Sequence, residues 1–243
     1  MSPSEPLPKT VNGLKIILGM GSIGDPASSL ARFTTVDTTK EYLAAFARRG
    51  YRDLDTARNY PPGAPETCEP LMGETLQVLP KDGDVLQGVP FIIDTKLRFN
   101  PPNTHSKEMV EKSIDGSLKA LQMDKLHIEY LHAYDDTSPI PETCQAMAKA
   151  YKDGKFELFG ISNAAPDVLE QFFDTCESEG LGVKPNVYQG DYSVLMRGLE
   201  DKLFGVARKH GMSFYAYSPA GGGIFNAKSY RERDGGRFDQ ARL

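Results

Sequence analysis

Four residues with acid–base side chains stand where strand-like segments of the sequence end. Asp55 ends the short apolar stretch in "DLDTARNY", and Tyr60 follows five positions later. Lys96 ends "VPFIIDTK", and His132 ends "LHIEYLH". A tyrosine with its ordinary pKa of about 10 is a weak proton donor at neutral pH, but a neighbouring ammonium favours the phenolate and lowers that pKa. The set predicts proton donation to a reducible carbonyl, with Tyr60 as the acid.

The other three residues have distinct roles in this hypothesis. Lys96 would lower the pKa of Tyr60, and Asp55 would keep the lysine charged, because an unpaired buried ammonium is costly. His132 would hydrogen-bond the substrate oxygen as negative charge develops on it. Each residue also has an ordinary structural interpretation, as a cap, a turn aromatic, a solvated strand end or a core histidine. Their placement on three successive strands favours the catalytic interpretation.

Strand-like and helical segments alternate along the chain and would position these residues. "VNGLKIILG" begins with Asn12-Gly13, a strong hairpin signal. After it the sequence predicts seven strands with six helices between them, and therefore βαβ units and a parallel sheet. One helix, "HSKEMVEKSIDGSLKALQ", has an apolar face of Met109, Val110, Ile114, Leu118 and Leu121. Ligands bind at the carboxyl ends of such strands, so the polar side chains there would meet if the sheet closes.

Length and composition limit the class of protein. The 243 residues, 40% hydrophobic and 25% charged, fit one α/β barrel of about 250 residues. The net charge of −5 argues against nucleic acid or an anionic membrane as a partner, and no run approaches the roughly 20 apolar residues of a membrane span. Three widely spaced cysteines and four histidines without ligand spacing predict reduced thiols and no metal site. We expect residues 1–10 to form a flexible tail and the chain to be cytoplasmic.

Six motifs, in order, carry a family resemblance: "LDTARNY", "DTK", "YLHAYDD", "GISNA", "VYQGDYS" and "FYAYSPAGGG". Together they resemble the aldo-keto reductase superfamily, and most closely its aflatoxin-aldehyde reductase group, over nearly the whole chain. The resemblance implies one (β/α)8 TIM-barrel domain over residues 1–243. It also implies NADPH-dependent reduction of a small aldehyde or ketone, in some relatives within secondary metabolism. The family's catalytic tetrad falls on Asp55, Tyr60, Lys96 and His132.

The resemblance further implies an NADPH site built without a Rossmann domain. "GMGSIG" has the GxGxxG spacing of a Rossmann fingerprint, with glycines at positions 19, 21 and 24, but the resemblance implies instead that the loop that it forms, with Gly19 and Met20, lies under the nicotinamide. Ser162, Asn163 and Gln189 would hydrogen-bond the carboxamide.

The rest of the implied cofactor site follows the last predicted strand. Tyr217 would stack on the nicotinamide ring. The backbone expected along the pyrophosphate is that of Ser218, Pro219, Ala220, Gly221 and Gly222. Lys228 and Arg237 would approach the cofactor phosphates, although a solvated basic loop, "KSYRERDGGR", is an equal alternative for both.

The family pattern stops before its end. Leu243 falls where the loop after strand seven should lead into the next helix, so strand eight and the last helices have no counterpart. Open strand edges would then favour a homo-oligomer or pairing with a full-length homologue. Three functions remain open: an NADPH-dependent reductase, a truncated paralogue that acts as a partner or scaffold, and a cofactor-free acid–base isomerase.

Overall fold

A two-stranded hairpin begins the computed structural model, which describes residues 10–79, 86 and 89–225. Strand β1 (Thr10–Val11) pairs antiparallel with β2 (Leu14–Lys15). Asn12 and Gly13 join the strands with φ angles of 51° and 79°, the positive values that a type I′ turn requires. The predicted hairpin is confirmed. The predicted N-terminal tail lies outside the described residues, except for its last position, which belongs to β1.

Seven parallel strands follow the hairpin, and six helices connect them. The strands are β3 (Ile17–Gly19), β4 (Asp53–Asp55), β5 (Ile92–Lys96), β6 (Leu126–Leu131), β7 (Phe156–Ser162), β8 (Pro185–Asp191) and β9 (Ser213–Tyr217). The helices are α1 (Val36–Ala47), α2 (Cys68–Gln77), α3 (Lys107–Leu121), α4 (Ile140–Lys152), α5 (Pro166–Ser178) and α6 (Leu203–His210). The strands lie in the sheet in chain order, each parallel to its neighbours. The predicted seven strands and six helices are confirmed.

Helix ends follow from local chemistry. The Oγ1 of Thr35 accepts a hydrogen bond from the backbone N–H of Thr38, and the Thr38 hydroxyl oxygen in turn accepts one from the backbone N–H of Thr35, which starts α1. Pro70 lies in the first turn of α2, where a backbone N–H would have no helical partner, so the N–H that proline lacks is not missed. Gly211 ends α6 in the left-handed region, with φ of 67°. No helix in the described part of the chain is long and apolar enough to cross a membrane.

A hydrogen bond across the sheet shows that the sheet is curled. The side-chain Nε2 of Gln189 on β8 donates to Oδ1 of Asp55 on β4 over 2.8 Å. Four strand spacings separate β4 from β8, which would be about 19 Å in a flat sheet. The strands must therefore curve so that one face becomes an interior. The result is an open half-barrel, which agrees with the parallel sheet that the α/β alternation predicted and with the barrel type of fold that the resemblance implied.

The interior of the curled sheet is filled by side chains. Ile128, Tyr130 and Val187 are buried there together. At Gly160, on β7, a Cβ atom would lie 2.1 Å from the Tyr130 ring, so the glycine leaves the space that this ring occupies. The larger hydrophobic core lies between the sheet and the helices. Because the interior is packed, the carboxyl ends of the strands form the accessible rim.

The contact between α2 and α3 predicts an effect on stability. A Cβ at Gly73 would lie 2.1 Å from the backbone oxygen of Ala120, so α3 would have to move. We expect Gly73→Ala to lower the free energy of unfolding by about 1–3 kcal/mol, measured by urea denaturation. The matched control is Gly205→Ala in α6, where nothing lies within 4 Å of the added atom. That change should stabilise the chain by roughly 0.5–1 kcal/mol; equal effects of the two variants would contradict the packing.

Candidate active site

Lys96 ends β5 as a buried ammonium with a complete set of partners. Its side chain is 1% exposed, and Nζ donates to Oδ2 of Asp55 over 2.5 Å and to the backbone oxygen of Thr56 over 2.8 Å. The ring centroids of Tyr60 and Tyr130 lie 5.2 and 5.7 Å from Nζ. Burial lowers the pKa of Lys96, but the Asp55 carboxylate and the Tyr60 hydroxyl together raise this pKa above its ordinary value. The lysine is therefore charged, and Asp55 holds it in place as predicted.

Tyr60 differs from the prediction in the direction of its pKa. Lys96 lowers the pKa of Tyr60, and this is the largest single effect. Burial, the Asp55 carboxylate and the neighbouring Cys68 raise it by more in sum, so the pKa of Tyr60 lies above its ordinary value. The predicted lowering by Lys96 is present, but the sequence analysis did not include burial and the carboxylate's own effect on the phenol, and these outweigh it. Tyr60 thus remains a protonated donor throughout the neutral pH range.

His132 follows β6 and faces Tyr60. The two ring centroids are 5.8 Å apart with the rings almost perpendicular, and the ring of Phe99 lies 5.9 Å from the imidazole. Burial, the Lys96 ammonium and His105 lower the pKa of His132 to about 3. The imidazole is neutral at physiological pH, so it can donate a hydrogen bond without adding a second positive charge beside Lys96.

Arg58, which the sequence reasoning did not select, anchors the loop between Asp55 and Tyr60. Its guanidinium nitrogens lie 3.2 Å from Oε2 of Glu69 and 3.3 Å from Oε2 of Glu66. Its backbone N–H donates to the oxygen of Lys96, and its own oxygen accepts from the N–H of Glu66. The loop that carries Tyr60 is thereby tied to β5 and to the start of α2.

Glu69 connects this anchor to the sheet. Its side chain is fully buried, and Oε1 accepts a hydrogen bond from the Thr95 hydroxyl over 2.6 Å. Burial raises the pKa of Glu69, while Thr95 and Arg58 act in the opposite direction. Gly116 on α3 leaves room for the Arg58 guanidinium, because a Cβ atom there would lie 3.1 Å from it. This glycine would point to the Arg58–Glu69 pair only if it were already known that α3 faces the loop, and no local sequence pattern shows that.

The residues expected to bind a carboxamide lie together beside the tetrad. Ser162 and Gln189 are buried at the ends of β7 and β8. Asn163 donates to the backbone oxygen of His132 over 3.1 Å, and its side-chain oxygen accepts from the Tyr217 hydroxyl over 2.9 Å. A cavity of about 410 Å³ is lined by Asn163 and Tyr217 among others. These four residues thus form a polar wall next to the catalytic set.

The loop after β3 contacts Tyr60 through a residue that the sequence analysis did not select. Gly19 is exposed, and Met20 is fully buried in the main core, where its backbone oxygen accepts a hydrogen bond from the thiol of Cys68. Gly21, which was not selected, lies against the ring of Tyr60, because a Cβ atom added to it would be only 3.6 Å from that ring. Cofactor contacts by Gly19 and Met20 stay predictions.

The loop after β9 has unusual backbone angles. Ser218, Gly221 and Gly222 have φ of 53°, 57° and 69°. The backbone N–H of Gly221 donates to the oxygen of Ser218, and that of Gly223 donates to the oxygen of Ala220, so contacts of this loop with a pyrophosphate stay predictions. Pro219 and Ala220 lie between them in the same loop. The other two predicted phosphate ligands, Lys228 and Arg237, lie outside the described residues.

The comparisons with known proteins agree with this geometry. The model of the aldo/keto reductase family matches residues 15–243. Human aflatoxin B1 aldehyde reductase member 4 is 35% identical over 217 residues, which cover 87% of this chain and 63% of the relative. Rat aflatoxin B1 aldehyde reductase member 2 is 33% identical over 244 residues, 96% of this chain and 62% of the relative. The chain thus spans less than two thirds of the length of these relatives.

A solved structure shares the fold. The aldo/keto reductase from Klebsiella pneumoniae, crystallised in complex with NADP and acetate, matches with a TM-score of 0.67 at 24% identity. The match covers 90% of this chain and 69% of that one, and it supports the TIM-barrel type of fold predicted from the sequence. Since the family model spans residues 15–243, this chain belongs to the aldo/keto reductase family.

Proposed function

We propose that the protein reduces an aldehyde or ketone to the alcohol with NADPH as the hydride donor. The observation that carries the proposal is the Lys96–Asp55 ion pair against the ring of Tyr60, with the neutral ring of His132 edge-on to it at 5.8 Å. A protonated phenol beside a fixed ammonium and a neutral imidazole is suited to stabilise a developing alkoxide and then protonate it.

Each residue of the tetrad has one task in this proposal. Tyr60 donates its proton to the carbonyl oxygen. Lys96 stabilises the phenolate that remains, and Asp55 keeps Lys96 charged and immobile. His132 donates a hydrogen bond that orients the carbonyl oxygen towards Tyr60. The loop anchored by Arg58 holds the phenol in this place, which matters because small displacements of a reacting group cost rate.

The polar wall fits a nicotinamide. Ser162, Asn163 and Gln189 offer the donors and acceptors that a carboxamide needs, and Tyr217 offers an aromatic face at the end of β9. The backbone of Ser218 to Gly222, where Ser218, Gly221 and Gly222 have positive φ angles, would lie along the pyrophosphate. When bound, NADPH would supply the hydride, and the side chains around Tyr60 would supply the proton.

The substrate class and the location are also part of the proposal. Two of the relatives are named as reductases of aflatoxin B1 aldehyde, which supports an aldehyde substrate, and we propose a role in secondary metabolism for this chain. The three cysteines are free, and free thiols are typical of the cytoplasm, where we propose that the protein acts.

The tetrad predicts the effect of removing one hydroxyl. Tyr60→Phe should lower kcat for carbonyl reduction by at least about 100-fold, because the proton donor is lost, and should leave NADPH affinity unchanged. NADPH oxidation measures the first quantity. Nucleotide fluorescence measures the second, since the chain has no tryptophan. The matched control is Tyr151→Phe on α4, outside the site, which should retain full activity. Full activity of Tyr60→Phe would reject the assignment, and a folded chain that does not bind NADPH would reject the cofactor.

The pKa directions predict the pH profile of reduction. Tyr60 must be protonated, and its raised pKa keeps it so until the solution is alkaline. His132 must be neutral, and with a pKa of about 3 it is already neutral in mildly acidic solution. The rate should therefore be flat between about pH 5 and 8 and should fall only at alkaline pH. A loss of activity centred near pH 6.5, about the ordinary pKa of histidine, in a chain still folded by circular dichroism would contradict this electrostatic picture.

We also propose that the chain associates through its sheet edges, with a second copy or with a longer homologue. In the described residues, β3 and β9 each pair on one side only, and unpaired edges attract further strands. Analytical ultracentrifugation should then detect a species larger than the monomer, either for the chain alone or after a full-length relative is added. A monomer in both experiments would exclude this association.

A further inference from the structure

The side-chain amide of Asn59 binds both backbone groups of Phe99. Its Oδ1 accepts from the backbone N–H of Phe99 over 2.5 Å, and its Nδ2 donates to the backbone oxygen of the same residue over 2.7 Å. Nδ2 also donates to Oδ1 of Asn100 over 3.0 Å. A residue whose N–H and C=O are both bonded to one partner is held as firmly as a residue paired in a sheet. Since Asn59 directly precedes Tyr60, the loop that carries the phenol also fixes Phe99.

Two further bonds fix the backbone that leads to Phe99. The N–H of Leu97 donates to the backbone oxygen of Tyr130 on β6 over 2.8 Å. The N–H of Arg98 donates to the hydroxyl of Ser113 on α3 over 2.9 Å. Phe99 therefore follows β5 on a backbone that is attached to the sheet and then to a helix, and the direction of its ring is set at the rim.

The ring of Phe99 lies beside the imidazole of His132. Their centroids are 5.9 Å apart with the rings inclined by 50°, and the ring of Tyr60 lies 5.8 Å from the same imidazole. All three side chains are partly exposed, so they border the opening at the carboxyl ends of the strands. A carbonyl group bound by Tyr60 and His132 would bring its substituent within reach of the Phe99 ring. An aromatic ring packs best against another flat apolar group.

We propose that Asn59 is a positioning residue that holds the ring of Phe99 beside His132, where this ring favours carbonyl compounds with a flat apolar substituent. The inference rests on the proposed function, because it concerns the substrate of the same site. Asn59 acts through Phe99, since its amide is bonded to the Phe99 backbone. The Lys96–Asp55 bond is formed between the strands and does not involve this amide.

The first test compares the reduction of benzaldehyde and of propanal by the purified chain with NADPH. Both aldehydes are uncharged, and only benzaldehyde has the flat ring that Phe99 would contact. In Asn59→Ala the ratio of kcat/KM for benzaldehyde to that for propanal should fall about 5- to 10-fold, because the aromatic contact is misplaced. Most of the fall should appear in KM for benzaldehyde, since this contact is made before and during the reaction. A purely structural role would lower the rates for both aldehydes alike.

A double-mutant cycle tests whether Asn59 acts through Phe99. Phe99→Ala should lower the same ratio at least as much as Asn59→Ala, and the double variant should lower it no further. Phe99→Tyr retains the ring and should keep the wild-type ratio. The matched control is Gln145→Ala, which removes an amide bonded to Glu179 over 2.8 Å between α4 and α5 and should also keep it. An unchanged ratio in Asn59→Ala, or additive losses in the double variant, would overturn the proposal.

Binding of benzyl alcohol, the product of benzaldehyde reduction, tests the ring without turnover. Its dissociation constant, from titrations followed by saturation-transfer NMR, should be higher for Asn59→Ala and for Phe99→Ala than for the wild type. A wild-type chain that reduces neither aldehyde would reject the proposed function, and the NMR titrations would then decide the role of Asn59 by themselves. Equal dissociation constants for the three proteins would overturn that role.

Discussion

The ion pair of Lys96 and Asp55 is the constraint around which the site is organised. A fully buried ammonium is tolerated only when its charge is paired and its protons are bonded, and loss of one partner from a buried pair costs about 3–5 kcal/mol. Here the carboxylate comes from the adjacent strand, and its second oxygen accepts from Gln189 four strands away. The Asp55 carboxylate thus binds the ammonium on β5 and also the amide on β8 that only a curled sheet can bring to it.

That pair also explains why the neighbouring groups are neutral. Lys96 contributes to the lowered pKa of His132, and Asp55 offsets the effect of Lys96 on the pKa of Tyr60. The site therefore combines one fixed positive charge with two neutral hydrogen-bond donors. If Asp55 were absent, one of the effects that raise the pKa of Tyr60 would be lost, and burial would be the main effect left to oppose the ammonium. The carboxylate keeps the phenol in the form that the proposed reaction uses.

The sequence was sufficient for the strands, the helices and the tetrad, because each depends on local patterns. Asp55, Lys96 and His132 end apolar stretches, and parallel strands bring such ends to one rim. The Arg58–Glu69 anchor could not be predicted in this way. It depends on which face of α2 meets the loop after β4, and no local pattern relates a loop residue to a helix residue 11 positions later. The net direction of the shift in the pKa of Tyr60 could not be predicted from the sequence either, because it results from opposing effects.

The two ends of the curled sheet differ in how their charges are used. At the amino-terminal end of the strands, Lys15 pairs with Asp53 over 2.6 Å and His127 contacts Asp94 over 2.7 Å. These charges are paired within the hairpin and the strand ends, and the packed ring of Tyr130 lies between them and the rim. A packed interior therefore separates these paired charges from the tetrad at the rim, so a change at one end of the sheet can act on the other only through the strands and the helices that flank them.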